Sequence, residues 1–287
     1  MSYTHHTMLI DRAVLRLTGA DVAVFLNSLL TNNILNMHSG EGRYAALLTP
    51  QGKIISDMFV VKDNAERDVY FIDLPQITAS DVLRKLTLYK LRAQVMIEDV
   101  SAQLGVAVMF GVDQSQSDQT PREALIYPDP RCDQMGLRVI VSPDAWQKIH
   151  PSSVDQNAYS ALRIACCVPS GGSDFVYGDV FPHDVNMDLL NGVDFKKGCY
   201  VGQEVVSRTH HRNAARTRIV RVFFPNGVCP AQGADVMAGE KRIGVLCTCD
   251  EGKALAQIRL DRLQDALDVG LKVCVDGLDL MIDHASA

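Results

Sequence analysis

Lys197-Gly198-Cys199-Tyr200-Val201-Gly202-Gln203-Glu204 places one cysteine between two glycines and one residue after two lysines, Lys196 and Lys197. The thiolate, not the thiol, is the nucleophile and the metal ligand, and nearby cations favour it. Glycines permit backbone turns and close approaches that a side chain would block. Apolar residues resume at Val205-Val206 after polar Gln203 and Glu204, so the stretch reads as a loop that presents a sulfur and then enters a helix. Such a thiol could ligate iron, carry a persulfide or undergo redox exchange. The alternative for any free cysteine is an inert, buried side chain. Gln203 and Glu204 suit orientation of the loop or capping of the helix.

The remaining candidates carry weaker signals. Cys247-Thr248-Cys249 puts two sulfurs on one face of a strand. It lacks the C-x-x-C spacing and second pair of a zinc site. Cys166-Cys167 reads as part of a helix, and Cys132, Cys229 and Cys274 carry no signal. His210-His211 lies among Arg208, Arg212, Arg216 and Arg218, which reads as a solvated basic segment rather than a metal site. No metal centre is expected.

The elements that must position these residues follow from periodicity and punctuation. Residues 14–17 read as a strand, and Asp21 as the N-cap of a helix carrying Val22, Phe25, Leu26, Leu29 and Leu30 at helical spacing. Residues 44–48 and 54–61 flank the turn Thr49-Pro50-Gln51-Gly52-Lys53 and form a hairpin. Further strands are expected at 69–73, 95–100, 104–110 and 137–141. Helices are expected at 80–91 and 158–167, the second stopping before Pro169. Residues 113–122 form a polar surface loop. From about residue 216 short strands alternate with Gly-containing turns, the pattern of a small β-barrel or sandwich. Residues 1–215 and 216–287 are accordingly taken as two regions.

Bulk properties narrow the function classes. With 28 basic and 34 acidic residues the net charge is −6, against a direct nucleic-acid binder; only residues 208–221 form a basic stretch. No apolar run reaches the roughly 18 residues of a membrane span. Residues 1–6 lack the basic region and apolar core of a signal peptide. The expected place is the cytosol, or an organelle matrix in a eukaryote, where the eight cysteines should be reduced.

The octapeptide at 197–204 resembles the signature of the YgfZ family of folate-binding proteins implicated in iron–sulfur cluster maintenance. Leu17-Thr18-Gly19-Ala20-Asp21 with Leu30-Thr31-Asn32-Asn33 resembles that family's opening helix. Leu48-Thr49-Pro50-Gln51-Gly52-Lys53 with Asp57 resembles its hairpin, and Arg163-Ile164 with Pro169 its Arg-Ile…Pro phrase. Phe181-Pro182-His183-Asp184-Val185-Asn186 resembles the Pro-x-Glu…Asn phrase before the cysteine. The resemblance runs in order through residues 14–218. The wider superfamily includes the aminomethyltransferase (T-protein) of glycine cleavage, which has no cysteine corresponding to Cys199. The chain departs from the family at Asp184, where Glu is usual, and at Ala165 and Cys167, where Glu and Gly are usual. It has Ser56-Asp57 where the T-protein has paired Asp residues.

The resemblance implies an α+β, T-protein-like folate-binding fold with subdomains around a central channel, plus a small C-terminal β-barrel domain. It implies a cofactor, tetrahydrofolate or a derivative. A pterin presents an N–H and an NH₂ on one edge, which one carboxylate can accept together. Asp184 is the first candidate for that clamp and Asp57 the second; the alternative for Asp184 is a cap. Arg163 or Arg208 could hold the folate carboxylates, or form salt bridges. Tyr44 and Tyr200 could stack on the ring, or pack as core aromatics. The implied function is an accessory factor for assembly or repair of iron–sulfur clusters, with Cys199 acting beside the folate. Its implied partners are iron–sulfur assembly proteins or client [4Fe–4S] enzymes, with tRNA modification supported only indirectly and a monomer expected. Two alternatives are an aminomethyltransferase and a non-catalytic folate-stabilised scaffold.

Overall fold

The computed structural model describes residues 2–113, 120–151, 156–212 and 215–283. Most of the polar loop expected at 113–122 lies outside the described residues. The chain opens with β1 (Ser2–Leu9), β2 (Arg12–Thr18), α1 (Val22–Leu29) and the hairpin β3 (Gly42–Leu48) and β4 (Ile54–Lys62). It continues through β5 (Val69–Pro75), α2 (Gln76–Tyr89), β6 (Met96–Asp99), β7 (Gly105–Asp113), β8 (Leu125–Pro128) and β9 (Leu137–Val141). Three helices follow: α3 (Pro143–Ile149), α4 (Gln156–Ala165) and, after a long irregular stretch, α5 (Gln203–His211). The last region holds β10 (Thr217–Phe223), β11 (Asp235–Ala238), β12 (Lys241–Asp250), β13 (Lys253–Arg259), α6 (Leu260–Asp268), β14 (Val273–Val275), β15 (Leu278–Asp279) and β16 (Met281–Ile282).

These strands form three antiparallel sheets. A five-stranded sheet runs β3-β4-β5-β2-β6, and a four-stranded sheet runs β1-β7-β9-β8. A seven-stranded sheet, β15-β14-β11-β12-β13-β10-β16, curls into a nearly closed barrel. The five-stranded sheet is buried on both faces. Leu15, Leu17, Leu47, Val60 and Ile72 pack under α1 and α2. Their neighbours Val14, Tyr44, Leu48, Phe59 and Val61 pack the other way, with Val106, Val108 and Ile140 of the four-stranded sheet. Side chains alternate along a strand, so double burial requires the near-continuous apolar runs seen in β3 and β4. The barrel has its own core, closed by Leu263 and Ala266 of α6.

Several elements differ from the sequence expectation. α2 begins at Gln76, directly after Pro75 ends its strand with extended dihedrals, so Asp81 lies inside the helix. Asp21 sits at the start of α1 but does not cap it; its carboxylate accepts the Gln94 N–H at 2.7 Å. α4 ends at Ala165, and Cys167 adopts a left-handed φ of +54°, a conformation that favours glycine. The cysteines are not all free: Cys229 and Cys249 form a disulfide within the barrel. β1, β8, α3, β11, α6 and the short β15 and β16 were not foreseen.

Candidate functional site

Cys199 is the exposed member of the free cysteines. Burial pushes the Cys166 and Cys247 thiols up to about 12 and Cys167 up to about 11. These three thiols stay protonated and chemically quiet at neutral pH. Cys199 lies in a shallow surface depression formed with Pro50, Tyr200, Val201, Gln203 and Ser207.

The residues around Cys199 fix its loop. Lys197 turns inward: its Nζ donates to the carbonyls of Asn27, Leu30 and Asn32 at 2.7, 2.6 and 2.8 Å. Those acceptors lie in and just beyond the last turn of α1, where helix carbonyls lack partners and the helix dipole favours a cation. Burial pushes the Lys197 pKa down to about 8, against the opposing charge of Asp194. The Lys197 ammonium is thus engaged by three backbone carbonyls, while Lys196 and the turn amides remain the other groups expected to favour the thiolate. Gly202 precedes α5 with φ +82°. A Cβ there would lie 2.5 Å from Thr49 O and 3.1 Å from the Gly52 Cα, so only glycine lets the loop settle on the β3–β4 turn. Gly198 is different: a Cβ there would meet nothing within 4 Å. Gln203 and Glu204 open α5, and Glu204 sits where the helix dipole favours a negative charge.

The folate candidates do not gather into one clamp. Asp57, on β4, is buried and accepts hydrogen bonds from the Tyr44 hydroxyl at 2.9 Å and from the Tyr177 hydroxyl. Burial first, and then the Asp57 charge, raise both phenols, so both stay protonated donors. Asp184 caps a 3-10 turn (Pro182–Val185), its Oδ2 accepting the Phe181 N–H at 2.9 Å. Burial raises its pKa, partly offset by that N–H. Arg163 pairs with Asp174 at 2.9 Å; Asp174 also accepts the Thr248 N–H at 2.9 Å and so joins α4 to the barrel. Arg208 is exposed on α5, and the Tyr200 ring packs 5.1 Å from Lys197 Nζ.

The residues that wall an arginine-lined cavity were missed. Arg138 donates to Asp73 Oδ2 from Nε and Nη2 at 2.9 and 2.6 Å, and Arg12 Nε donates to Oδ1 at 2.6 Å. Burial would raise the Asp73 pKa, but the two guanidiniums outweigh it and hold the carboxyl below its usual range. Arg131 grips Asp129 through Nε and Nη2 at 3.0 and 2.7 Å. The Tyr159 hydroxyl accepts from Arg131 and Arg138 at 3.2 and 3.1 Å. The Arg138 and Arg131 guanidiniums lie 4.0 and 4.8 Å from the Phe59 ring centroid. Four arginines, Arg12, Arg131, Arg138 and Arg163, line a cavity of about 270 Å³ beside this cluster. The available signal was a charged residue inside an otherwise apolar strand: Asp73 in β5 and Arg138 in β9.

Known proteins place this geometry. Residues 9–114 match the GCVT N-terminal domain, and residues 216–283 match the CAF17 C-terminal beta-barrel domain. A Neurospora crassa protein named iron-sulfur cluster assembly factor IBA57 homolog, mitochondrial, is 29% identical over 245 residues, 80% of this chain and 56% of that protein. A Coccidioides immitis protein of the same name is 31% identical, over 77% of this chain and 57% of its own length. The Dictyostelium discoideum counterpart is 27% identical, over 79% and 64%. The chain thus spans little more than half the length of the curated relatives it matches. The crystal structure of glycine cleavage system aminomethyltransferase T from Bartonella henselae superposes with a TM-score of 0.78 at 13% identity, covering 98% of this chain and 85% of that one. The chain therefore joins a region matching the GCVT N-terminal domain to one matching the CAF17 C-terminal β-barrel domain on the fold of aminomethyltransferase T, and the three relatives above are named iron–sulfur cluster assembly factor IBA57 homologs.

Proposed function

We propose that this chain acts in the assembly or repair of iron–sulfur clusters and that Cys199 is its working thiol. The observation that carries the proposal is the display of one exposed cysteine on a loop anchored on both sides. Lys197 fixes it to α1 and Gly202 to the β3–β4 turn. Iron–sulfur clusters are commonly held by four thiolates. Among the described residues no group of three or more side chains is placed to hold a metal ion. Cys199 would therefore supply one ligand or carry one sulfur, and an assembly protein or a [4Fe–4S] client would supply the rest. Support for tRNA modification would follow indirectly, through an iron–sulfur enzyme. The relatives' names set the work in mitochondria, so a eukaryotic source would place it in that matrix.

Tetrahydrofolate is the cofactor the resemblance implies, and Asp57 and Asp184 do not fit the pterin clamp expected of them. The donor edge of a pterin needs an acceptor facing the cavity. Asp57 is closed over by two tyrosine hydroxyls, and Asp184 binds the Phe181 amide outside the cavity lining. The aminomethyltransferase reading loses support for a related reason: Ser56 is buried and hydrogen-bonded to Thr78 at 2.7 Å where that enzyme has a second acid.

The test is complementation of cells lacking the protein, read as aconitase-type [4Fe–4S] enzyme activity. Cys199→Ala and Cys199→Ser should fail to restore activity, whereas Cys166→Ala should restore it. Full rescue by Cys199→Ala would remove the thiol from the proposal.

A further inference from the structure

We infer that the arginine-lined cavity is a binding site for a small organic carboxylate. This goes beyond the role proposed for Cys199 and does not depend on it, since the thiol lies in a separate depression.

The cavity wall is asymmetric in charge. Four guanidiniums, from Arg12, Arg131, Arg138 and Arg163, face it, while their partners Asp73, Asp129 and Asp174 are at most 5% exposed and absent from the lining. The carboxylate that does reach the lining is Asp11, an exposed residue at the rim. A ligand entering the cavity meets donors, with the balancing acceptors behind them.

Some of those donors are still available. Arg12 uses Nε and Nη2 on Asp73, and Arg131 uses Nε and Nη2 on Asp129 and Tyr159. Their Nη1 groups have no partner among the described residues. A carboxylate could accept from both without displacing either aspartate, and planar guanidiniums suit that geometry. Ser160, Ser170 and Ser173 add hydroxyls to the wall. Leu9 and Phe59 add apolar surface, which an inorganic anion would leave uncovered and a hydrocarbon body would fill. A volume of about 270 Å³ lies just below the usual range for drug-sized ligands, so the molecule is small. A pterin edge, itself a donor, is the wrong complement.

Calorimetric titration of the full chain tests this with acetate, benzoate, glutarate and L-glutamate against inorganic phosphate and 6-methyltetrahydropterin, which carries no carboxylate. At least one carboxylate should bind one per chain, raise the melting temperature and bind at least tenfold more tightly than phosphate or the pterin. Ser160→Leu fills the cavity without breaking a buried ion pair and should weaken that binding at least tenfold. Arg131→Gln should weaken it similarly, and Cys199→Ala should leave it unchanged. Absence of saturable binding by all four carboxylates would overturn the inference. So would unaltered binding in Ser160→Leu, or tighter binding of phosphate or the pterin.

Discussion

Gly52 and Gly202 meet face to face: a Cβ added to Gly202 would stand 3.1 Å from the Gly52 Cα, and both residues hold left-handed dihedrals, φ +85° and +82°. The cysteine loop and the β3–β4 turn are 150 residues apart in the chain, yet each supplies the side-chain-free surface the other needs. Gly202→Ala should therefore lower unfolding free energy by about 2 kcal/mol or more, from strain and displacement of the Thr49 carbonyl. Gly198→Ala, which meets empty space, should stay within about 0.5 kcal/mol of wild type. Urea unfolding of the two variants makes the comparison, and equal losses would contradict the docking.

Lys197 ties the same loop to α1. Replacing it with Met keeps most of the apolar stem but removes the donor from three carbonyls, one of them buried. The expected cost is about 1–3 kcal/mol. Amide hydrogen exchange should show the loss locally, as faster exchange in the last turn of α1, with the barrel amides unchanged. A uniform change across the molecule would argue for a global effect instead.

What the sequence revealed depended on whether neighbours in the chain were also neighbours in space. The β3–β4 hairpin was legible because two apolar runs flank one Pro-Gly turn. α4 was legible because its helix stops before Pro169. β1 was not, since its polar run Tyr3-Thr4-His5-His6-Thr7 becomes a strand only by pairing with β7 about a hundred residues on. Asp184 and Arg163 looked like ligands because motifs mark residue types and not destinations. The Phe181 amide and Asp174 claimed them. The arginine cluster was invisible because Arg12, Arg131 and Arg138 converge on Asp73 and Asp129 only after three separate strands and a loop are assembled.

Asp73 gives the cluster a pH signature. Its carboxyl is held below the ordinary 3.8 by Arg12 and Arg138 against the effect of burial. A depressed carboxylate stabilises the fold fully above its unfolded pKa and loses that contribution as pH falls through the folded value. Asp73→Asn breaks a buried pair and should cost about 3–5 kcal/mol at pH 7. The gap between wild type and variant should hold down to about pH 4, then narrow as the wild type is protonated. Unfolding free energies from pH 2 to 7 check this, and a gap that widens below pH 4 would contradict the sign.

Cys167 offers a test that separates backbone strain from side-chain contact. Its φ of +54° is a conformation that costs an L-residue roughly 1–2 kcal/mol and glycine almost nothing. Its sulfur also contacts the Ile219 carbonyl at 3.5 Å. Cys167→Ala loses the sulfur and keeps the strain, whereas Cys167→Gly loses both. The glycine variant should therefore be more stable than the alanine variant by about 1 kcal/mol, the reverse of the usual order in which glycine is the more destabilising. Melting temperatures of the two proteins decide the matter. An alanine variant at least as stable as the glycine one would mean that the left-handed backbone at Cys167 is not strained in solution.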